Sequence, residues 1–162
     1  KRQQMGGFEW ETVLAPIGFR GEIAYMDHVA FMSSDFTSER TPVTHLVSGI
    51  DYTSVNEWYF NLQGSWHLIH DYAEDILYFD EHTVSALGEI NKPVWRGNLE
   101  FALQYNYTVT DQSSYLQPSV TLNYFRNIEF EIGANIFSGN GDTLFGSYDP
   151  YDQAYGRLRM FF

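Results

Sequence analysis

The sequence predicts an all-β fold: an antiparallel up-and-down transmembrane β-barrel, to which this chain gives about nine strands. Three observations carry that expectation. Apolar and polar side chains alternate with period two along nearly the whole chain, with no convincing helical period. The connections between alternating stretches run short and long by turns. The polar set is rich in Asn, Gln, Ser, Thr and Gly, whereas soluble surfaces carry more Lys and Glu.

The elements follow in order. "FEWETVL" sets Phe8, Trp10, Thr12 and Leu14 against Glu9, Glu11 and Val13. "FRGEIAYM" sets Phe19, Gly21, Ile23 and Tyr25 against Arg20, Glu22, Ala24 and Met26. "HLVSGIDYT" sets Leu46, Ser48, Ile50 and Tyr52 against His45, Gly49 and Asp51. "WYFNLQGSWHL" is the clearest, with Trp58, Phe60, Leu62, Gly64, Trp66 and Leu68 against Tyr59, Asn61, Gln63, Ser65 and His67. "VSALGEI" opposes Val84, Ala86, Gly88 and Ile90 to Ser85, Leu87 and Glu89. "LEFALQYNY" opposes Leu99, Phe101, Leu103, Tyr105 and Tyr107 to Glu100, Ala102, Gln104 and Asn106. "LQPSVTLNY" carries Pro118 inside a strand, where the lost ladder donor predicts a local bulge. "IEFEIGANI" opposes Ile128, Phe130, Ile132, Ala134 and Ile136 to Glu129, Glu131, Gly133 and Asn135. "GRLRMFF" closes the series, with Gly156, Leu158, Met160 and Phe162 opposite Tyr155, Arg157, Arg159 and Phe161.

"APIG", "SVNE" and "FRN" read as short connections, "NKPVWRGN" and "TDQSS" as medium ones. "SSDFTSERTPV", the stretch from Ile69 to His82 and "SGNGDTLFGSYDPYDQ" read as long loops, and they are acidic. Tight turns on one rim and long loops on the other describe an outer-membrane barrel. Trp10, Trp58, Trp66, Tyr105, Tyr107 and Tyr124 fall on the apolar side, several towards strand ends, as interfacial girdles require. A soluble lipocalin-like barrel would bury that side instead.

Composition sets the outer bounds. A length of 162 residues, 44% of them hydrophobic and 18% aromatic, supports one domain and excludes a disordered chain. A formal net charge of -12 leaves no basic patch for nucleic acid. The lack of cysteine removes disulfides, thiol catalysis and thiolate metal sites. No run of 18 apolar residues exists, and "KRQQMGG" is not an intact signal peptide.

The ending resembles the C-terminal strand of bacterial outer-membrane proteins, a terminal Phe preceded by apolar residues at every second position: Leu158, Met160 and Phe162. "GDTLFGSYDPYDQAYGRLRMFF" further resembles the end of a poorly characterised family of large porin-like outer-membrane barrels, and "LAPIGFRGEIAYM" and "VSGIDYT" are similar to segments of it. The matching positions are Asp142, Phe145, Gly146, Tyr148, Asp152, Tyr155, Leu158, Arg159 and Phe162. The resemblance implies a place in the bacterial outer membrane and a last strand read by the barrel assembly machinery. Membrane lipid and lipopolysaccharide would surround it. It implies no established substrate.

The expected lumen lining is Arg20, Glu22, His45, Asp51, Asn61, Gln63, His67, Glu89, Glu100, Gln104, Glu129, Glu131, Arg157 and Arg159. Its acids, with Glu9 and Glu11, outnumber its bases and favour cations in a pore. Antiparallel pairing of the last two strands would bring Glu129 to Arg159 and Glu131 to Arg157 as a structural ladder. His45 and His67, with Asp51, invite a metal or acid-base reading, but no nucleophile or His-x-x-x-His spacing accompanies them. "HDYAEDILYFDEH" lacks the glycine-turned spacing of a calcium loop. Its Ile76, Leu77, Tyr78 and Phe79 suit folding over a pore or gripping a partner. Neither cofactor nor catalysis is expected.

The expected function is therefore a passive channel for small polar solutes or ions. A non-conducting docking barrel is the alternative, and an outer-membrane enzyme follows behind it. Nine strands are odd, whereas bacterial single-chain barrels are even. Upstream strands, another chain or other copies would then complete a wall of about 14–18 strands, with Lys1 on the extracellular side. Alternatively, residues 1–15 form a plug or an amphipathic segment and the rest closes as eight strands.

Overall fold

The computed structural model describes residues 3–125 and 127–162, with the backbone alone for Tyr124 and Phe125. The expected positions of Lys1 and of the Tyr124 ring lie outside what is described.

Nine strands form: β1 (Met5–Leu14), β2 (Ile17–Met32), β3 (Ser38–Thr53), β4 (Tyr59–Ile69), β5 (His82–Val94), β6 (Leu99–Thr108), β7 (Ser113–Phe125), β8 (Ile128–Ser138) and β9 (Gln153–Met160). They make one antiparallel sheet in sequence order. Each strand pairs with its chain neighbours, so the topology is up-and-down throughout. Among the described residues, β1 pairs only with β2 and β9 only with β8. The sheet is therefore open, as the odd strand count predicts. The physical reason is parity. With nine alternating strands the first and last point the same way, so they cannot meet as an antiparallel pair. The alternative in which residues 1–15 form a plug or amphipathic segment and eight strands close is overturned, because Met5–Leu14 is a paired strand.

Cross-strand rows set the two faces, since residues directly opposite in a sheet point the same way. One row runs Phe19, Ile50, Leu62, Gly88, Tyr105, Leu116 and Ile136 across β2 to β8. Ile50, Leu62, Tyr105 and Ile136 are exposed in it, Leu62 at 56% and Tyr105 at 42%, while Phe19, Gly88 and Leu116 are half-buried. Exposed apolar side chains continue from Phe8 and Trp10 on β1 to Leu158 and Met160 on β9. Apolar surface on this scale marks an interaction or membrane face rather than ordinary scatter.

The turns at 15–16, 54–58 and 95–98 and the connection between β7 and β8 share one rim, the near rim. The far rim carries 33–37, 70–81, 109–112 and 139–152. Only 70–81 and 139–152 are long. The expected long loop at 33–43 shrinks to five residues, 33–37, because Ser38–Val43 pairs back onto β2. That pairing depends on a bulge between Met26 and Val29, where His28 takes a left-handed φ of 54°. The bulge switches which β2 residues share a face with β3. It turns Val29 and Phe31 to the polar side, beside Thr41 and Glu39.

The buried core forms there. Phe31, Val43, Ile69 and Ile76 pack together, with Met26, Val29, Tyr72, Ala73 and Phe79 around them. The bulge expected at Pro118 is absent: Leu116 pairs with Ile136 and Ser119 with Gly133, in one continuous register. The shift falls instead between Leu122 and Phe125, near the turn into β8. Losing one N–H at Pro118 interrupts the ladder without requiring an extra residue.

Candidate functional site

The polar face is the place where chemistry-bearing side chains gather. Its central row is Asp51, Asn61, Glu89, Gln104 and Gln117, one from each of β3 to β7. Four of these five are among the residues expected from alternation. Gln63 donates to Asn61 at 2.7 Å, and Asn91 donates to Glu89 at 2.7 Å. Such bonds fix side chains that would otherwise sample several rotamers.

Arg20 closes the β2 end of this face, with Nη2 2.6 Å from Asp51 Oδ2. Gly18 stands opposite Asp51, and a Cβ there would lie 2.7 Å from the same carboxylate. The missing side chain leaves Asp51 room to reach Arg20. Beside this pair is a cavity of ≈ 560 Å³ lined by Glu9, Glu11, Arg20, Glu22, Val47 and Gln63. Glu9 and Glu22 stand directly opposite one another in it, which is unfavourable for like charges.

The other end of the face is a basic-acidic ladder. Glu131 pairs with Arg157 and Glu129 with Arg159, as the alternation predicts. Arg157 lies 3.2 Å from Glu131, Arg159 lies 3.4 Å from it, and Arg159 also bonds Glu129. Tyr155 donates to Glu131 at 2.8 Å, and Gln117 donates to the Tyr155 hydroxyl at 3.2 Å. Tyr155 and Gln117 are hubs that sequence reasoning missed. The alternation Tyr155, Arg157, Arg159 held the signal for Tyr155, since it puts the phenol on the arginine face. Glu100 and Gln104 share a ≈ 250 Å³ cavity with this ladder.

His45 and His67 face one another across β3 and β4, with ring centroids 5.9 Å apart. Asp51 is not with them. It lies six residues from His45 on β3, about 20 Å along the strand, and holds Arg20 instead. His67 is covered by apolar rings: Phe79 at 5.8 Å and Phe31 at 6.2 Å. Among the described residues, no three His, Asp or Glu side chains converge as metal ligands.

The two long loops roof this far-rim end. Tyr72 donates its hydroxyl to the Phe79 carbonyl at 3.1 Å. Burial, then the carboxylates of Asp80, Glu74, Asp75 and Glu81, push the Tyr72 phenol up, which keeps it a protonated donor. In the second loop, Phe145 stacks on Tyr115 at 5.9 Å and Tyr148 lies 5.5 Å from Phe137. Asp152 accepts the Phe137 N–H at 2.8 Å. A Cβ at Gly146 would stand 1.8 Å from the Asn140 carbonyl, so only glycine fits. Asp142 joins Glu74, Asp80 and Asp111 around an outer cavity of ≈ 390 Å³. Beneath it, Tyr78, Phe79, Leu144 and Phe145 cap a ≈ 180 Å³ cavity that contains His45 and His67.

Leu158 and Met160 are exposed on the apolar face at the β9 edge, and Phe162 follows beyond the strand. Compared with known proteins, the chain matches no family model, no curated protein and no solved structure.

Proposed function

We propose that this chain forms part of the wall of a bacterial outer-membrane β-barrel and gives a passive route to small polar solutes or ions. The single observation that carries the reading is the sorting of faces. Apolar side chains are exposed or half-exposed from β1 to β9 on one face. On the other face, rows of amides, carboxylates and guanidinium groups are bonded to one another. A sheet with lipid on the first face and water on the second meets both requirements at once. The open edges of β1 and β9 would be costly in lipid, so further strands from the same chain, another chain or other copies complete the wall. The near rim, with its tight turns, faces the periplasm in this reading, and the roofing loops face out.

A second reading is favoured by one observation. Phe79 and Phe145 cap the polar face at the far rim, which suits a sealed barrel used as a docking scaffold. Conductance of the assembled protein in planar bilayers separates the two. Stepwise current supports the channel; inserted protein without steps supports the sealed scaffold.

A further inference from the structure

The apolar face is not uniform. It holds a furrow of ≈ 350 Å³ walled by Ile17, Tyr52, Phe60, Leu62, Ile90 and Tyr105. Gly88 floors it, in the row between Leu62 and Tyr105. A Cβ at Gly88 would meet nothing within 4 Å, so the space above the glycine is open.

Lys92 lies one cross-strand row beyond the furrow's lining, towards the near rim. It follows Ile90 by two residues on the same side of β5, about 6–7 Å further along. It stands opposite Phe101, and its ammonium lies 5.6 Å from the centre of the Trp58 ring. It also donates to the Asn56 carbonyl. Arg20, Arg157 and Arg159 sit on the polar face and hold carboxylates. Lys92 has no carboxylate partner among the described residues, although the chain carries 21 acids against 9 bases. Arg96, in the turn after β5, adds an exposed cation at this rim beside the half-buried Lys92.

From this geometry we infer a phospholipid site: one acyl chain lies in the Gly88 furrow, and an anionic headgroup meets Lys92 and Arg96 at the near rim. The site rests on the membrane reading given above and names a partner for it. Apolar walls favour the chain through buried methylene area. An ammonium over an aromatic ring at the membrane interface keeps its charge available to a phosphate. A neutral apolar ligand would leave Lys92 unused, and a free phosphate would leave the furrow empty.

The test uses the intact protein, titrated in detergent with phosphatidylglycerol or phosphatidylcholine of matched chains, and native mass spectrometry of the complexes. The expected result is one retained lipid, with phosphatidylglycerol preferred. Gly88→Leu fills open space without displacing backbone and weakens retention roughly tenfold or more, the loss of about two buried methylenes. Lys92→Gln keeps a lipid but abolishes the headgroup preference. Equal retention by Gly88→Leu, no preference in the wild type, or a doubled protein mass that Gly88→Leu abolishes would overturn the site. The last result would give the furrow to a second copy. Flotation with vesicles, run in parallel, separates the two levels: flotation without a retained lipid defeats the site alone, and no flotation defeats the membrane reading as well.

Discussion

Glu131 and Arg157 stand opposite one another on β8 and β9, with Oε2 3.2 Å from Nη1. Arg159 shares the same carboxylate oxygen, and Tyr155 donates to the other one. Glu131 is 9% exposed, whereas the arginine side chains are nearly half exposed. The pair is therefore screened from one side only, and its coupling is modest. A double-mutant cycle with Glu131→Gln and Arg157→Gln, followed by denaturant unfolding, is expected to give about 0.2–1 kcal/mol, falling as salt is raised. A coupling of zero at low salt would remove the ladder as a stabilising element.

The roof over His67 hangs on Phe79, which packs against Phe31 at 5.7 Å and His67 at 5.8 Å. Phe79→Ala is expected to free the 70–81 loop while leaving β4 and β5 paired. Hydrogen exchange by mass spectrometry reads this directly: faster exchange confined to 70–81 is the expected pattern. Exchange that rises equally along β4 and β5 would mean that the ring supports the sheet rather than the loop.

Much of this arrangement was legible in the residues. Alternation along Trp58–Leu68 put Asn61 and Gln63 on one side, and their hydrogen bond follows from that placement. The Glu129, Glu131 and Arg157, Arg159 spacings were enough to anticipate their cross-strand pairing. Other features were not legible. The Arg20–Asp51 pair depends on the β2–β3 register and on Gly18 leaving space, and neither is a local property of the sequence. The short 33–37 connection depends on a bulge at Asp27–His28, where no glycine or proline announces a break. Pro118 misled in the opposite direction, because a missing donor at one position need not shift a register. The open edges were legible from strand parity, since nine alternating strands leave the first and last pointing the same way.

Charge on the polar face predicts ion preference if the wall encloses a pore. Asp51, Glu129 and Glu131 are held by arginines, whereas no arginine pair holds Glu9, Glu22, Glu89 or Glu100 among the described residues. Reversal potentials in a salt gradient are expected to show cations preferred, and Glu22→Gln with Glu89→Gln should reduce that preference. Anion selectivity in the wild type would contradict the assignment of this face to the lumen.

The chain's last residues make a prediction about assembly. Leu158 and Met160 present apolar side chains at the β9 edge, and the Phe161 N–H bonds the Asn127 carbonyl just before Phe162. Deleting Phe162, or replacing it with Asp, should impair folding by the barrel assembly machinery. Heat-modifiable migration on gels and surface abundance are the readouts, and both are expected to drop. Wild-type levels of both would separate this ending from an assembly role.

In the membrane reading proposed above, the face bearing Leu62 meets lipid and the face bearing Gln63 meets water. Spin labels at Leu62 and Leu103, and at Gln63 and Gln104, report this in the membrane-inserted protein through collision with oxygen or with a water-soluble nickel chelate. Leu62 pairs with Gly88 and Gln63 with Leu87, so these adjacent β4 positions sample opposite faces of one sheet. High oxygen and low nickel accessibility are expected at Leu62 and Leu103, with the reverse at Gln63 and Gln104. High nickel accessibility at Leu62 and Leu103, or no alternation at all, would contradict this reading.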